Sequence, residues 1–130
     1  MGRIECRADR GKNRLYIKLA GFFRGKDVDP AMAELDRALT ELGTGFDVIT
    51  DLSEFVPGSP AAAEALRRGG ELVRARNRRH AVRITGGLMT GLMQFQRLLK
   101  GVFDEQSVRY AKSVDQAHAL LDDWPEDGDG

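Results

Sequence analysis

The sequence predicts one α/β domain in which a β-hairpin is followed by alternating helices and strands, in the order β-β-α-β-α-β-α-β-α. Residues 46–52 form a short apolar run typical of a buried strand, and the Ala-rich residues 60–77 after it have helical spacing. Residues 4–8 and 15–19 alternate apolar with polar side chains, which is the period of a half-buried strand. Because successive strand, helix and strand imply parallel pairing, we expect a mixed, mostly parallel sheet of about five strands with about four helices.

The first part of the chain predicts a hairpin and then a helix. The hairpin turn falls at residues 9–13, where Gly11 and Asn13 are typical turn residues. The first helix is predicted to begin at Asp29, an N-cap residue followed by proline at the first helical position. Gly43 is placed to end this helix.

The middle of the chain predicts a second helix between two strands. This helix is expected over residues 59–77 and contains the adjacent Gly69 and Gly70. Interior glycines cost a helix roughly 1 kcal/mol each relative to alanine. We therefore expect them to allow close approach of the helix to the sheet or to a neighbouring helix. Residues 80–85 predict the next strand.

The last part of the chain predicts a third helix, a short strand and a final helix. The third helix has apolar side chains at helical spacing between residues 88 and 103. Val108 and Tyr110 mark the short strand. Ser113 and Gln116 have the spacing of a capping box, which predicts the start of the final helix.

Length and composition limit the classes of protein to consider. A chain of 130 residues and 14.4 kDa has room for one core, so we expect one domain over residues 1–124 and an acidic, disordered tail over residues 125–130. Cys6 is the sole cysteine, which excludes an internal disulfide, and no Cys/His cluster has the spacing of a zinc site.

The absence of targeting signals and the balance of charge narrow the location and the partners. The sequence contains neither a recognisable signal peptide nor an apolar run near the ~20 residues of a membrane span, so a cytoplasmic location is expected and an integral membrane protein is not. Twenty basic and 20 acidic residues give a net charge of zero, which argues against nucleic acid as a partner.

The order of the predicted elements resembles the STAS domain of anti-sigma factor antagonists and sulfate transporters. The resemblance extends over residues 4–124, with Asp51-Leu52-Ser53 closing the third strand. Residues 80–84, residues 108–111 and the helix that ends near Trp124 are similar to the anti-sigma-antagonist-like (SpoIIAA-like) branch. The resemblance implies a small mixed sheet built by successive β/α crossovers. It also implies a binding role without catalysis and without a cofactor.

The resemblance also implies a candidate regulatory site at Ser59. In the antagonists, a serine or threonine at the start of the second helix is phosphorylated to control partner binding, and Ser59 is the matching position. The family's Asp-Ser-Ser-Gly-Leu pattern is replaced here by Pro57-Gly58-Ser59-Pro60. A helix N-terminus favours a phosphate through its unpaired N–H groups and its dipole. The alternative is that Ser59 only caps the helix.

A basic stripe on the second helix is a candidate partner surface. Arg67, Arg74 and Arg78 lie three and four residues apart on one helical face, with Glu71 among them. An acidic protein surface, an anionic lipid headgroup or a nucleic acid would suit this charge. No aromatic residues lie between the arginines, which argues against a single-stranded nucleic acid. The alternative is a solvated helix face bridged by Glu71.

Met89 and Met93 on the third helix are a second candidate partner surface. They widen the apolar arc of this helix beyond what one sheet should cover. Methionine suits an adaptable contact with a second subunit, another protein or a lipid. The alternative is that a neighbouring helix covers both side chains.

Catalytic arrangements are poorly supported by the sequence. The glycines around residues 86–91 fail the dinucleotide-binding fingerprint, since Leu88 stands where the second glycine is required. A turn with positive φ at Gly86 and Gly87 explains them better. Asp47 and Asp51 share one side of their strand, so a carboxylate pair is conceivable.

The sequence as a whole favours a non-enzymatic binding or regulatory module. The leading hypothesis is protein–protein recognition, including a homodimer, with an anti-sigma-antagonist-like role. The first alternative is binding of a small apolar ligand or a lipid by Met89, Met93, Phe22 and Phe23. The second alternative is an enzyme of unrecognised class.

Overall fold

The computed structural model describes residues 2–56, 58–77, 79–86 and 89–125. These residues form a five-stranded sheet with the strand order β1-β2-β3-β4-β5. The strands β1 and β2 are antiparallel, and β2 to β5 are mutually parallel, so the expected mixed sheet is confirmed. The strands are β1 (Arg3–Asp9), β2 (Arg14–Phe22), β3 (Asp47–Val56), β4 (Ala81–Ile84) and β5 (Arg109–Ala111).

Helices cover both faces of this sheet. They are α1 (Val28–Thr40), α2 (Pro60–Asn77), α3 (Met89–Leu98) and α4 (Val114–Asp122), with a 3₁₀ turn (Gly25–Asp27) before α1. The larger core joins α1, α2 and α3 to one face, through residues such as Leu35, Val73 and Phe95. The smaller core joins α4 to the other face, through Ala117 and Leu121. The element order therefore agrees with the sequence prediction.

The strand β3 lies at the centre of both cores. Val48 belongs to the larger core and Ile49 to the smaller one, because successive side chains of a strand point to opposite faces. Both side chains are buried, at 2% and 0% exposed. Burying an aliphatic side chain of this size is favourable by about 1.5–3 kcal/mol. The predicted buried strand is confirmed.

Several boundaries differ from the prediction. The strand β3 continues to Val56 instead of ending near residue 52, because residues 20–22 of β2 pair with residues 54–56 after a shift in register. The helix α1 begins at Val28, so Asp29 lies in its first turn and is not the N-cap. The helix ends at Thr40, and the nearby glycine with positive φ is Gly45 (77°), not Gly43.

The third helix is shorter than its apolar pattern. The helix α3 ends at Leu98, and the chain turns through Gly101, whose φ is 86°. Leu99 and Phe103 are still buried in the larger core, although they lie beyond the helix. Helical spacing alone could not distinguish a continued helix from a turn that returns the same side chains to the core.

Of the two adjacent glycines of α2, Gly70 makes the close approach that the sequence predicted. A Cβ atom on Gly70 would lie 2.5 Å from Cδ2 of Leu99, and one on Gly69 would lie 3.4 Å from Leu35 and Met32. Gly70 therefore lets α2 approach the chain after α3 more closely than a larger residue would, whereas an alanine at position 69 would meet α1 at an ordinary contact distance.

The outer edge of β1 is covered by side chains from α1. The backbone N–H of Cys6 donates to a carboxylate oxygen of Glu34 at 3.4 Å, and its carbonyl accepts from Nη2 of Arg37 at 3.0 Å. Glu34 and Arg37 are paired with each other at 2.8 Å. The Glu34–Arg37 clamp therefore occupies backbone groups that an edge strand would otherwise expose.

Candidate functional site

The exposed face of α3 is the first candidate site. Met89 and Met93 are 67% and 51% exposed, so no helix among the described residues covers them. The opposite face of α3 packs on β3, where the rings of Phe55 and Phe95 meet edge to face with centroids 5.9 Å apart. A Cβ on Gly91 would lie 2.8 Å from the carbonyl oxygen of Phe55, which shows how closely the helix approaches the strand. This packing turns both methionines outward.

Ser59 is the N-cap of α2. Its Oγ accepts from the backbone N–H of Ala62 at 3.3 Å, and its carbonyl accepts from the N–H of Ala63 at 2.8 Å. Its own N–H donates to the carbonyl of Phe23 at 3.1 Å, which ties the start of α2 to the chain after β2. The capping interpretation is confirmed, and phosphorylation of Ser59 stays a prediction.

The arginines predicted as a partner surface have intramolecular partners. Nη1 of Arg67 donates to the carbonyls of Leu98 and Lys100, at 2.7 and 2.9 Å. The guanidinium of Arg74 donates to Oδ1 of Asn77 at 2.9 Å and lies over the ring of Phe103, 5.4 Å from its centroid.

These contacts leave the stripe less available to a partner than its spacing suggests. Glu71 lies 3.8 Å from Arg67, in line with the bridged-face alternative. Arg78 falls outside the described residues. A role for the stripe in partner binding stays a prediction.

A buried arginine that the sequence analysis did not single out as a site organises the region beneath α3. Arg83 of β4 is 3% exposed, and its two terminal nitrogens donate to Glu105 at 2.5 and 2.9 Å. Its guanidinium also lies over the rings of Phe95 and Phe103. The ion pair crosses 22 residues of sequence, so no local pattern could have indicated it.

The two aspartates of β3 do not form a pair. Asp51 accepts from the hydroxyl of Tyr16 at 2.8 Å and from the hydroxyl of Ser53 at 2.7 Å. Asp47 instead faces Arg79, at 3.2 Å. Four strand residues place the two carboxylates roughly 13 Å apart, so they cannot share a proton.

Asp51 is held as a carboxylate. Burial would raise the pKa of Asp51, but hydrogen bonds from the backbone and hydroxyl of Ser53 and from Tyr16 outweigh it and hold this pKa below its ordinary value. The same arrangement raises the pKa of Tyr16, through burial and the hydrogen bond to Asp51.

The cysteine and the histidines lie apart from one another. Cys6 belongs to the core beneath α1, and burial together with the nearby Glu34 raises its pKa to about 12, so its thiol is unreactive at neutral pH. His118 is on α4, on the other face of the sheet. His80 stacks on Trp124 with ring centroids 4.1 Å apart.

Two further findings concern metals and membranes. In the described ranges, no cluster of three or more His, Cys, Asp or Glu residues could hold a metal ion. Of the helices in the described part of the chain, none has the length and apolar character needed to cross a membrane.

An apolar cavity of about 60 Å³ lies between α1, α2 and the sheet. Its walls include Ile17, Met32, Leu66, Gly69 and Phe103, and Thr50 also lines it. The residues predicted for an apolar ligand are not among its lining residues, and Phe23 is completely buried elsewhere in the core.

Comparison with solved structures identifies the fold. The structure is similar to the crystal structure of an uncharacterised protein of the DUF3478 family with a SpoIIAA-like fold from Shewanella loihica PV-4. The TM-score is 0.68 at 18% sequence identity, and the match covers 93% of this chain and 95% of the other. Neither a family model nor a curated protein sequence matches this chain significantly. The chain therefore has a SpoIIAA-like (STAS) fold, as the resemblance implied.

Proposed function

We propose that this chain is a non-enzymatic STAS-like recognition module that binds protein through the exposed face of α3, with a second copy of itself as the first partner to test. The observation that supports this function is the outward placement of Met89 and Met93, one helical turn apart and both more than half exposed. Exposed methionines adapt their shape to a partner surface and gain free energy when removed from water.

Further apolar side chains are available to enlarge this surface. Phe22 is 41% exposed and ends β2, where it pairs in register with Val56 at the end of β3. The helix α3 packs on Phe55, the neighbour of Val56, so Phe22 lies at the same end of the sheet as the start of α3. Two methionines alone are too small for a stable interface, which requires roughly 800 Å² from each partner. A net charge of zero places no overall repulsion between two copies.

Light scattering across a concentration series tests this surface. We expect the molar mass of the protein to rise with concentration, and we expect Met89→Glu with Met93→Glu to abolish the rise. Leu72→Glu is the matched control, because Leu72 is 49% exposed on α2 and carries no proposed contact. A protein that stays monomeric at millimolar concentration would exclude self-association, and unchanged association of the double variant would exclude this surface.

Regulation of partner binding through Ser59 is part of the same proposal. A charged group at this N-cap would add negative charge next to the N-terminus of α2. Ser59→Asp and Ser59→Asn both preserve a capping side chain, and only the first adds charge. We expect the Asp variant alone to change the association measured above. Equal association of the two variants would remove Ser59 from the proposal.

Binding of a small apolar ligand is the second candidate, and the cavity beneath α1 and α2 favours it. Its volume of about 60 Å³ admits only a few heavy atoms, so a larger ligand requires α1 and α2 to separate. Native mass spectrometry after gentle purification would detect a retained ligand. Gly69→Ala narrows the cavity wall and should reduce the retained fraction. A wild-type protein that carries no added mass would count against this candidate.

A further inference from the structure

A larger concavity, of about 570 Å³, lies on the α4 face of the sheet, opposite to α3. We call it the α4 groove. It is lined by residues of the β1–β2 hairpin and of α4, including Arg7, Arg10, Arg14, Tyr16, Val114 and His118. Its volume falls in the range of small-molecule binding sites, which is roughly 300–1,000 Å³.

The acidic side chains of the α4 groove are already engaged. Oδ1 of Asp9 accepts from the backbone N–H of Lys12 at 3.0 Å, within the hairpin turn. Oε2 of Glu41 accepts from Nη1 of Arg37 at 2.5 Å, across one turn at the end of α1. The charge of Glu41 is thus partly neutralised by Arg37, and the carboxylate of Asp9 is hydrogen-bonded to the backbone of the hairpin turn.

The basic side chains of the α4 groove are freer. Arg10 makes no side-chain hydrogen bond or ion pair with any other residue in the described ranges. Arg7 is exposed, and its contact with Glu5 is long, at 3.4 Å. Lys12 lies close enough to act electrostatically on His118. Arg7 and Arg10 are therefore the arginines of the groove with the fewest intramolecular partners.

Arg14 lies at the inner end of the groove with one donor unused. Its side chain is 8% exposed, and its terminal nitrogens contact Nδ1 of His118 at 2.8 Å and Oδ1 of Asp122 at 2.5 Å. Its Nε–H has no acceptor within hydrogen-bond distance among the described residues, and Asp47 is 3.8 Å away. This nitrogen is buried against Asp47 and is closed to the groove, so a ligand in the groove must be held by other donors.

His118 lines the same groove as a neutral ring. Arginine can only donate, so Nδ1 of His118 must accept, and the ring proton is on Nε2. Burial and the nearby Arg14 both lower the pKa of His118, which keeps the ring neutral at physiological pH.

The rest of the lining is apolar. It includes Ala8, Ile49 and Val114, and the ring of Tyr16 lies beneath the guanidinium of Arg7, 5.2 Å from it. Arg7 and Arg10 can contact an anion, the acidic side chains of the groove already have partners, and the remaining lining is apolar. The groove therefore suits a molecule that is anionic at one end and apolar at the other.

We propose that the α4 groove binds a small amphipathic organic anion, whose acid group is held by Arg7 and Arg10 and whose apolar part packs on Val114. A carboxylate and a phosphate ester share this chemistry, and the experiment distinguishes them. The site is separate from the α3 surface, because the two lie on opposite faces of the sheet.

Nuclear magnetic resonance titration with hexanoate, hexyl phosphate and hexan-1-ol tests the proposal. We expect at least one anion to bind with shifts concentrated at Val114 and His118, and hexan-1-ol to bind at least about tenfold more weakly. If hexanoate binds more tightly, the preferred acid group is a carboxylate, and if hexyl phosphate binds more tightly, it is a phosphate ester. Failure of both anions to bind, or equal binding of hexan-1-ol, would overturn the proposal.

Two matched pairs of variants locate the site. Arg10→Ala should weaken the better anion at least about fivefold, whereas Arg97→Ala removes the same charge from α3 and should not. Val114→Glu should weaken binding more than Val114→Gln, since only the first adds a negative charge at the groove. Val114 is 38% exposed at the first position of α4, so we expect both variants to fold. Equal losses within either pair would overturn the assignment.

Discussion

The side chain of Arg67 on α2 caps the C-terminus of α3, because its Nη1 donates to the carbonyl of Leu98 at 2.7 Å. The last carbonyls of a helix have no partner within it, so a donor from a neighbouring helix stabilises that end. We expect Arg67→Ala to lower the free energy of unfolding by about 1–2 kcal/mol, measured by urea denaturation.

Arg68→Ala is the matched control for this prediction. Arg68 is the next residue of α2, is exposed, and makes no side-chain hydrogen bond or ion pair within the described ranges. We expect it to change the free energy of unfolding by less than about 0.5 kcal/mol. Equal losses in the two variants would show that the Arg67–Leu98 contact contributes nothing.

Substitution by alanine should have opposite effects on stability at the helical glycines Gly91 and Gly69. Gly91→Ala would place a Cβ 2.8 Å from the backbone oxygen of Phe55, which cannot move without distorting β3, so we expect a loss of about 1–3 kcal/mol. Gly69→Ala meets only side-chain atoms at 3.4 Å, so the gain in helix propensity, up to about 1 kcal/mol, should dominate. Thermal denaturation of both variants checks the signs. A stable Gly91→Ala variant would contradict the close packing of α3 on β3.

The carboxylate of Asp51 should contribute stability that depends on pH. Its pKa in the folded chain lies below the ordinary value of 3.8, so this contribution is present above that value and is lost as pH falls through the folded pKa. We expect Asp51→Asn to cost about 2 kcal/mol at neutral pH and the difference from wild type to shrink below roughly pH 4.

Asp36→Asn, at an exposed position of α1, is the matched control for this pH dependence. Its difference from wild type should be small and should not follow the profile of the Asp51 variant. A difference for Asp51→Asn that stays constant between neutral and acidic pH would contradict the assigned hydrogen bonds to the carboxylate.

His118 should make the fold less stable at mildly acid pH. Burial and Arg14 lower its folded pKa below the ordinary value of 6.5, and Lys12 acts in the same direction while Asp122 and Asp9 oppose it. Because the unfolded chain then binds a proton more readily, stability falls as pH decreases from about 6.5 towards the folded pKa.

His118→Gln tests this dependence, since an amide oxygen can accept from Arg14 but does not titrate. We expect the stability of wild type to fall relative to this variant between pH of about 7 and 5, in paired urea denaturation curves. Parallel profiles of the two proteins would contradict the lowered pKa of His118.

Local signals predicted some elements closely. The spacing of Ser113 and Gln116 predicted a cap, and Oγ of Ser113 accepts from the N–H of Gln116 at 3.0 Å. In a capping box the glutamine side chain would also accept from the backbone N–H of Ser113. Here the Gln116 side chain accepts from the N–H of Lys112 instead. Asn13 in the predicted turn has a φ of 55°, as a left-handed turn residue should.

Features that depend on distant partners were not predictable from local patterns. The extension of β3 to Val56 requires pairing with the end of β2, and the burial of Arg83 requires Glu105. The spacing of Arg67 and Arg74 correctly placed them on α2, but it could not indicate that Arg67 donates to carbonyls after α3 or that Arg74 donates to Asn77 and the carbonyl of Arg79. A pattern in one helix reports its periodicity and does not report what its polar side chains will contact.

The Glu34–Arg37 clamp restricts how copies of this chain can join. A second chain cannot add a strand beside β1 without first displacing both side chains from Cys6, and β5 at the other margin offers only three residues. Fibril-like growth through backbone hydrogen bonds is therefore disfavoured at both margins. We therefore expect copies of this protein to associate through side-chain contacts, and to separate again with the sheet intact.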